Sequence, residues 1–368
     1  MAFNPRRSLD RLRTAPPLAR RVAVALPLVA ILGYVVFWFT VAGVAEKQVR
    51  AWIQTQAAQG VTVTHGALAT GGFPFRVDVR IDTPAAAWPG GTWRGPALML
   101  SAAPWDWRRL NWRADGVHTV TWTGRGGEAR KATLTARHLE GWGEASGGGL
   151  PRVEAWMTEG ALEISGGKAG DGPGGPITAR GVLLHILPPG SGETDGGGDA
   201  PRLPLSLDAK GVILPPGLGT ALGDTVDRLA LEMSLNGPVG TGPWPEPALA
   251  WRDAGGVLEV KQLGIVHGPL NLTGEGTLAI DHAGQPEGAF TARVTGFAET
   301  VEALRKAGIV ENRAADAVQV ILGLLSRGPV GGPRTLDVPM TLQDHTFSLG
   351  AVKLLRLKPV DWFTPSGS

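Results

Sequence analysis

The side chains that could do chemistry are few and scattered. Seven histidines, at 65, 118, 138, 185, 267, 282 and 345, stand apart, with no His-Glu-x-x-His and no pair at i, i+4, the spacing that puts two imidazoles on one helix face for a metal. They read as separate surface or turn histidines. Gly167-Lys168-Ala169 has the Gly-Lys of a phosphate loop, but Ala169 stands where a hydroxyl must reach Mg²⁺. Gly274-Glu275-Gly276 lacks the third glycine of a dinucleotide fingerprint and precedes a strand pattern. There is no Gly-x-Ser-x-Gly elbow. Asp224 and Asp227 sit at i, i+3 on an expected surface, whereas paired acids for glycoside chemistry must face each other across a cleft. With no cysteine, thiolate nucleophiles, disulfides and Cys-ligated metals are excluded. The expectation is a non-enzyme with no catalytic residue, no metal and no cofactor; a hydrolase is the least favoured alternative.

The one concentration of unusual side chains is aromatic. Eight of the thirteen tryptophans fall within residues 88–156, among them Trp105, Trp107, Trp112 and Trp122. On a strand, Trp105 and Trp107 face the same side and their neighbours Asp106 and Arg108 the other, as Arg113 does relative to Trp112. Indole is a large apolar surface with one N–H, so the stripe suits a packed core, a wall for an apolar ligand or a membrane contact. These four residues are the candidate ligand lining.

Such a wall needs elements to carry it, and the chain supplies an anchor first. Val22 to Val44 is twenty-three residues without a charge, at ~1.5 Å of rise each enough to cross a ~30 Å hydrocarbon core. Six arginines and one aspartate precede it. Cationic flanks stay on the cytoplasmic side, so residues 1–21 are expected inside and 45–368 outside, across a single-pass inner membrane anchor. The alternative is a cleavable signal, with Val41-Ala42-Gly43-Val44-Ala45 as its cleavage site; against it, a signal's apolar core runs only ~7–15 residues. The formal charge of +2 belongs to that tail: the remainder holds 29 basic against 32 acidic residues, which offers no nucleic-acid footprint.

Beyond the span, residues 45–60 continue as a stalk helix closed by Gly60, with Val49, Trp52, Ile53 and Gln56 on one side. That side packs on the domain or lies on the membrane. From Val61 the period changes to two, in Val61–His65 and Arg76–Ile81. Between these runs Gly71, Gly72, Phe73, Pro74 and Phe75 make a structural turn whose two rings are expected to seat it in apolar surroundings. With 54 glycines and 29 prolines, the body from 61 to 358 reads as β-rich. Gly160, Gly211, Gly256 and Gly276 each look like a turn glycine opening a strand. Gly- and Pro-rich loops at 165–176 and 188–202 bracket a strand at 177–187, and a domain subdivision near 188–202 is one reading of them. Leu218, Leu222 and Val226 suggest a short helix. Phe297–Ala307 and Arg313–Arg327 read as a C-terminal helical hairpin, followed by a β-hairpin at 336–349 and a tail at 359–368. The predicted fold is mainly β (α+β): an extended, twisted antiparallel sheet with the helical hairpin packed on it.

Several patches resemble one family: GFPFR at 72–76, AWRDAGG at 250–256, HGPLNLTGEGTLAIDHAGQPEG at 267–288 and LDVPMTLQDHTFSLG at 336–350. They are similar to the domain-of-unknown-function 2125 family of bacterial envelope proteins. The resemblance implies a periplasmic body and this fold, and carries no activity. One departure is Asp344-His345 where the family's hairpin turn has Asp-Gly; His is a poorer left-handed residue, which points to another turn type. More distantly, the order of anchor and β-rich body is similar to AsmA-like envelope proteins, whose curved sheets are associated with lipids. The expected function is to bind or shelter a lipid or acyl chain; the alternative is a scaffolding domain whose partner is another envelope protein.

Overall fold

The computed structural model describes residues 17–58, 60–123, 127–145, 152–166, 174–187, 202–216, 221–238, 246–307, 326, 334–349 and 352–356. Helix α1, Pro17–Ala58, is continuous over 42 residues, so the anchor and the stalk are one rod. It is long and apolar enough to cross a membrane. Gly60 stops it in the left-handed conformation, φ 81°. Its N–H reaches the Ala57 carbonyl at 3.1 Å and the Val61 N–H the Gln56 carbonyl at 3.0 Å, the two bonds of a Schellman cap.

The strands that follow are β1 (Thr62–Thr64), β2 (Leu68–Gly71), β3 (Val77–Ile81), β4 (Ala85–Trp88), β5 (Gly91–Arg94), β6 (Leu98–Ala103), β7 (Asp106–Arg113) and β8 (Gly116–Thr123). Then come β9 (Ala129–Glu144), β10 (Arg152–Gly166), β11 (Ile177–Ile186), β12 (Arg202–Ile213) and β13 (Thr225–Asn236). After helix α2 (Glu246–Asp253) run β14 (Val257–His267), β15 (Leu270–Ile280) and β16 (Pro286–Thr295). Helix α3 (Phe297–Lys306), β17 (Leu336–Gln343), β18 (Thr346–Leu349) and β19 (Val352–Arg356) complete the described chain. All nineteen described strands join one sheet, and every pairing is antiparallel. From β9 onward each strand pairs with the next.

At the N-terminal end the sheet forks. The first half of β9 pairs with β8, from Ala129↔Thr123 to Ala136↔Gly116, and the second half with β7, from Glu140↔Arg113 to Glu144↔Arg109. One branch is β8–β5–β4–β1 and the other β7–β6–β3–β2. Level with the fork, Arg137, Glu159, Arg180, Gly211 and Asp227 all drop out of the ladder, with the register unchanged on either side.

The register also sorts the side chains by face, because directly opposed antiparallel residues share one. Starting in β3, the row Val79, Leu100, Trp112, Gly141, Ala155, Leu184, Leu207, Leu231, Leu263, Gly274, Ala292, Val338 crosses twelve strands without a polar side chain. A second row, Leu139, Met157, Val182, Ala209, Leu229, Ile265, Leu272, Val294, Leu336, is equally apolar. The opposite face carries the ion pairs Arg113–Glu140, Arg228–Asp208 (2.5 Å) and Arg293–Asp337 (2.8 Å). Helices lie at the two ends of the apolar face: α1 packs on β1, β2 and β3, and α3 on β15. There Phe297 of α3 clusters with Val294, Leu336 and Val338. Between them, the apolar residues of β11, β12 and β13 are mostly half-buried.

Several expectations are corrected. Gly160, Gly211 and Gly276 lie inside strands and only Gly256 precedes one; the strands are longer than the glycine spacing suggests because glycine here serves a positive φ, 57° at Gly211, and close contacts, such as the Ala289 carbonyl against Gly276, rather than strand starts. Val226 belongs to β13, opposite Val212, because that position extends the ladder; the helix expected at 218–226 does not include it. Of the C-terminal helical hairpin, the first helix forms as α3, while Arg313–Arg327 lies outside the described residues apart from Ser326. Asp344 and His345 both take positive φ, 49° and 62°, the signature of a type I′ hairpin, so His occupies the position a glycine would favour without changing the turn. The loops at 167–173 and 188–201 and the tail at 359–368 lie outside the described residues; β11 and β12, on either side of 188–201, pair directly from Thr178↔Ile213 to Ile186↔Leu205.

Candidate functional site

The fork encloses a cavity. A space of about 860 Å³ lies between α1 and the two branches, within the ~300–1,000 Å³ typical of ligand pockets. Val79 and Leu100 wall it from one branch, Ala86 and Trp93 from the other, and Val41, Val49 and Trp52 from the helix. Of its twenty lining residues only Thr40, Gln48 and His65 have polar side chains besides the tryptophans. The His65 Nδ1 lies 2.8 Å from the Gly66 carbonyl. No Asp, Glu, Lys or Arg enters the lining, so the cavity suits a hydrocarbon. Its wall continues into the apolar rows, because Leu100 of the lining opposes Trp112 and, beyond it, Gly141.

Helix α1 closes the cavity because its apolar residues recur every three or four positions: Trp38, Ala42 and Ala45 are buried against Val77, Val79 and Ile81, with Val41 and Val49 beside them. The stalk face expected from the sequence, Val49, Trp52 and Ile53, therefore lines the cavity.

The turn at Gly71–Phe75 lies against α1 and leads into Val77, a residue of the cavity lining. Gly72 has φ 94°, and a Cβ there would meet the Arg76 carbonyl oxygen at 2.8 Å and the Asp78 carboxyl carbon at 2.9 Å. The Phe73–Pro74 peptide is cis. Tyr34 donates its hydroxyl to the Pro74 carbonyl, and Trp38 donates its indole N–H to the Arg76 carbonyl at 2.8 Å. The Phe73 ring meets Trp38 edge-on at 5.4 Å. The rings are nevertheless not core: Phe73 is 50% and Phe75 71% exposed. That corrects the expectation of a corner seated in the body, since the apolar surroundings it finds are one side of the helix.

The four candidate tryptophans are not brought together in the cavity. Trp107 lines it, and its indole N–H reaches the Pro104 carbonyl at 3.3 Å. Trp105 lies in the two-residue turn before β7 and is 64% exposed, so the expected Trp105/Trp107 stripe is broken by a turn. Trp112 is on the apolar face beside the cavity, opposite Gly141, where a Cβ would come within 2.6 Å of its ring. Trp122 opposes Gly91, two residues from Trp93 and on the same face. Sequence reasoning missed Trp93, which lines the cavity and stacks on His118 at 6.2 Å. The signal available was its alternation with Gly91 and Gly95.

On the outer face, Arg113 bonds Glu140 through Nε at 2.9 Å and through a second, closer contact. That bond holds the Glu140 carboxyl below its usual value, assisted by the Trp156 N–H, and raises the Arg113 guanidinium. Among the described residues no group of three or more His, Asp or Glu side chains could hold a metal ion.

A family model described as "Uncharacterized protein conserved in bacteria (DUF2125)" matches residues 38–358. The chain belongs to the DUF2125 family. The match begins at Trp38, the first α1 residue buried on the sheet, and so takes in the docked part of the helix with the whole DUF2125 body. No curated protein and no solved structure matches this DUF2125 chain.

Proposed function

We propose that this DUF2125 protein is a non-catalytic, membrane-anchored envelope protein that shelters an acyl chain or lipid on the periplasmic side. The observation that carries the reading is the uncharged cavity between α1 and the forked sheet, continuous with apolar rows that cross the sheet. At ~4.8 Å per strand the longest row spans roughly 50 Å of contour. Hydrocarbon gains ~0.8 kcal/mol per buried CH₂, which one unpaired charge would cancel several times over, and this lining has none. The arginine-rich segment ahead of the span supports a cytoplasmic N-terminus. The packing of Trp38, Ala42 and Ala45 supports an uncleaved anchor, since cleavage after Ala45 would strip all three from the core.

The test is photocrosslinking of the full chain, in native-like bilayers, with a phospholipid carrying a diazirine on its acyl chain. Labelled peptides should contain β3 and β6 residues such as Val79 and Leu100, and Leu100→Lys should remove that labelling while leaving the span labelled. Labelling confined to α1 would reject the lipid reading in favour of a scaffold that binds another protein.

A further inference from the structure

We infer that the Gly71–Phe75 turn is a second membrane-inserted element, entering the outer leaflet beside α1 and setting the cavity mouth at the lipid headgroups. This rests on the reading of α1 as a spanning anchor. The depth follows from the helix. With Arg21 at the inner boundary, Tyr34 stands ~20 Å and Trp38 ~25 Å above it at 1.5 Å per residue, inside a ~30 Å core. The turn is fastened at those two levels, Pro74 to Tyr34 and Arg76 to Trp38. Its tip therefore points down into the leaflet and Arg76 lies one helical turn nearer the headgroups. The partner is the bilayer rather than a protein because the exposed rings of Phe73 and Phe75 continue the exposed apolar surface of α1 at Val36, Phe37 and Phe39.

Part of the turn's backbone is satisfied within the protein, as that depth requires. Non-helical chain is tolerated at membrane level only where its polar groups find partners within the protein. The Gly72 carbonyl accepts the Arg76 N–H at 2.9 Å, the carbonyls of Pro74 and Arg76 accept side-chain donors from α1, and Pro74 has no N–H to satisfy. Trp38, ~5 Å below the outer boundary of the core, also suits the aromatic belt of a membrane interface. The Arg76 side chain is 69% exposed beside Asp78 and can extend to the phosphate layer. The first cavity-lining residue of the helix, Thr40, then stands ~28 Å above Arg21. A lipid could enter the cavity from the leaflet without crossing water.

The chain has no cysteine, so single-cysteine variants carry one environment-sensitive fluorophore each. Phe75→Cys, Val36→Cys and Thr123→Cys would be labelled with NBD in the full-length protein and reconstituted in phosphatidylethanolamine/phosphatidylglycerol nanodiscs, with and without acyl-chain doxyl lipid. Phe75 is largely exposed, so the substitution removes little packing. The label at Phe75 should emit blue-shifted and be quenched by doxyl lipid as strongly as that at Val36, while the label at Thr123 stays water-like and unquenched. Quenching at Val36 with water-like, unquenched emission at Phe75 would overturn this inference and leave the anchor standing. Unquenched emission at both would overturn the anchor reading and the inference with it.

Discussion

The indole of Trp38 and the backbone of Arg76 join the helix to the body: the N–H donates to the carbonyl at 2.8 Å, and the ring is 4% exposed. Trp38→Ala should lower stability by ~3–5 kcal/mol, as large-to-small substitution of a buried aromatic does. Trp38→Phe keeps most of the ring but leaves the carbonyl unpaired, at a cost of ~1–3 kcal/mol. Denaturation midpoints in detergent check both, and a Trp38→Ala protein melting like wild type would show that α1 does not dock there.

The anchor should be retained. N-terminal sequencing of protein purified from the envelope is expected to find no processed form beginning at Glu46; such a form would make the apolar segment a removed signal.

Gly72→Ala should destabilise the turn. The residue needs a positive φ and has no room for a Cβ, so the cost should exceed the ~1 kcal/mol scale of compatible Gly→Ala changes. Thermal melting measures it, and an unchanged midpoint would contradict the turn geometry.

Two adjacent residues of β13 report the two faces. Leu231 opposes Leu207 and Leu263, while Ala230 opposes Asp208 and Gly264. Leu231→Lys should destabilise by at least ~1 kcal/mol, and Ala230→Lys should stay within ~0.5 kcal/mol of wild type. Equal melting of the two variants would mean that the apolar face is not specified by this register.

Glu140 titrates below its ordinary 4.5 because Arg113 bonds the carboxylate. The sign follows: the folded protein favours the charged form, so this contribution is complete above about 4.5 and is lost as pH falls through the lower folded value. The pair is partly exposed, so the effect is small, ~0.2–1 kcal/mol. Stability of Glu140→Gln should approach that of wild type below pH 4 and trail it at pH 7; a constant difference across that range would assign the effect to something other than charge.

Much of this was legible in the residues. The uncharged run at 22–44 announced a helix of membrane-crossing length, since a segment able to enter lipid must satisfy its backbone groups internally, and Gly60 marked its end. Alternation in β3, β13 and β17 assigned strands, since a period of two is local geometry, and the GFPFR segment announced a turn. The cavity was not legible. It needs Val79, Ala86, Trp93, Leu100 and Val49, spread over more than fifty residues, to converge, and that convergence follows from β9 sharing one edge between β7 and β8. The sequence determined which side chains could be apolar on a strand and that a membrane-length helix precedes them. Only the tertiary structure decided that Trp105 falls in a turn, that Phe75 faces outward beside the helix, and that the apolar sides of twelve described strands align, because register is a property of strand pairs and no single strand encodes it.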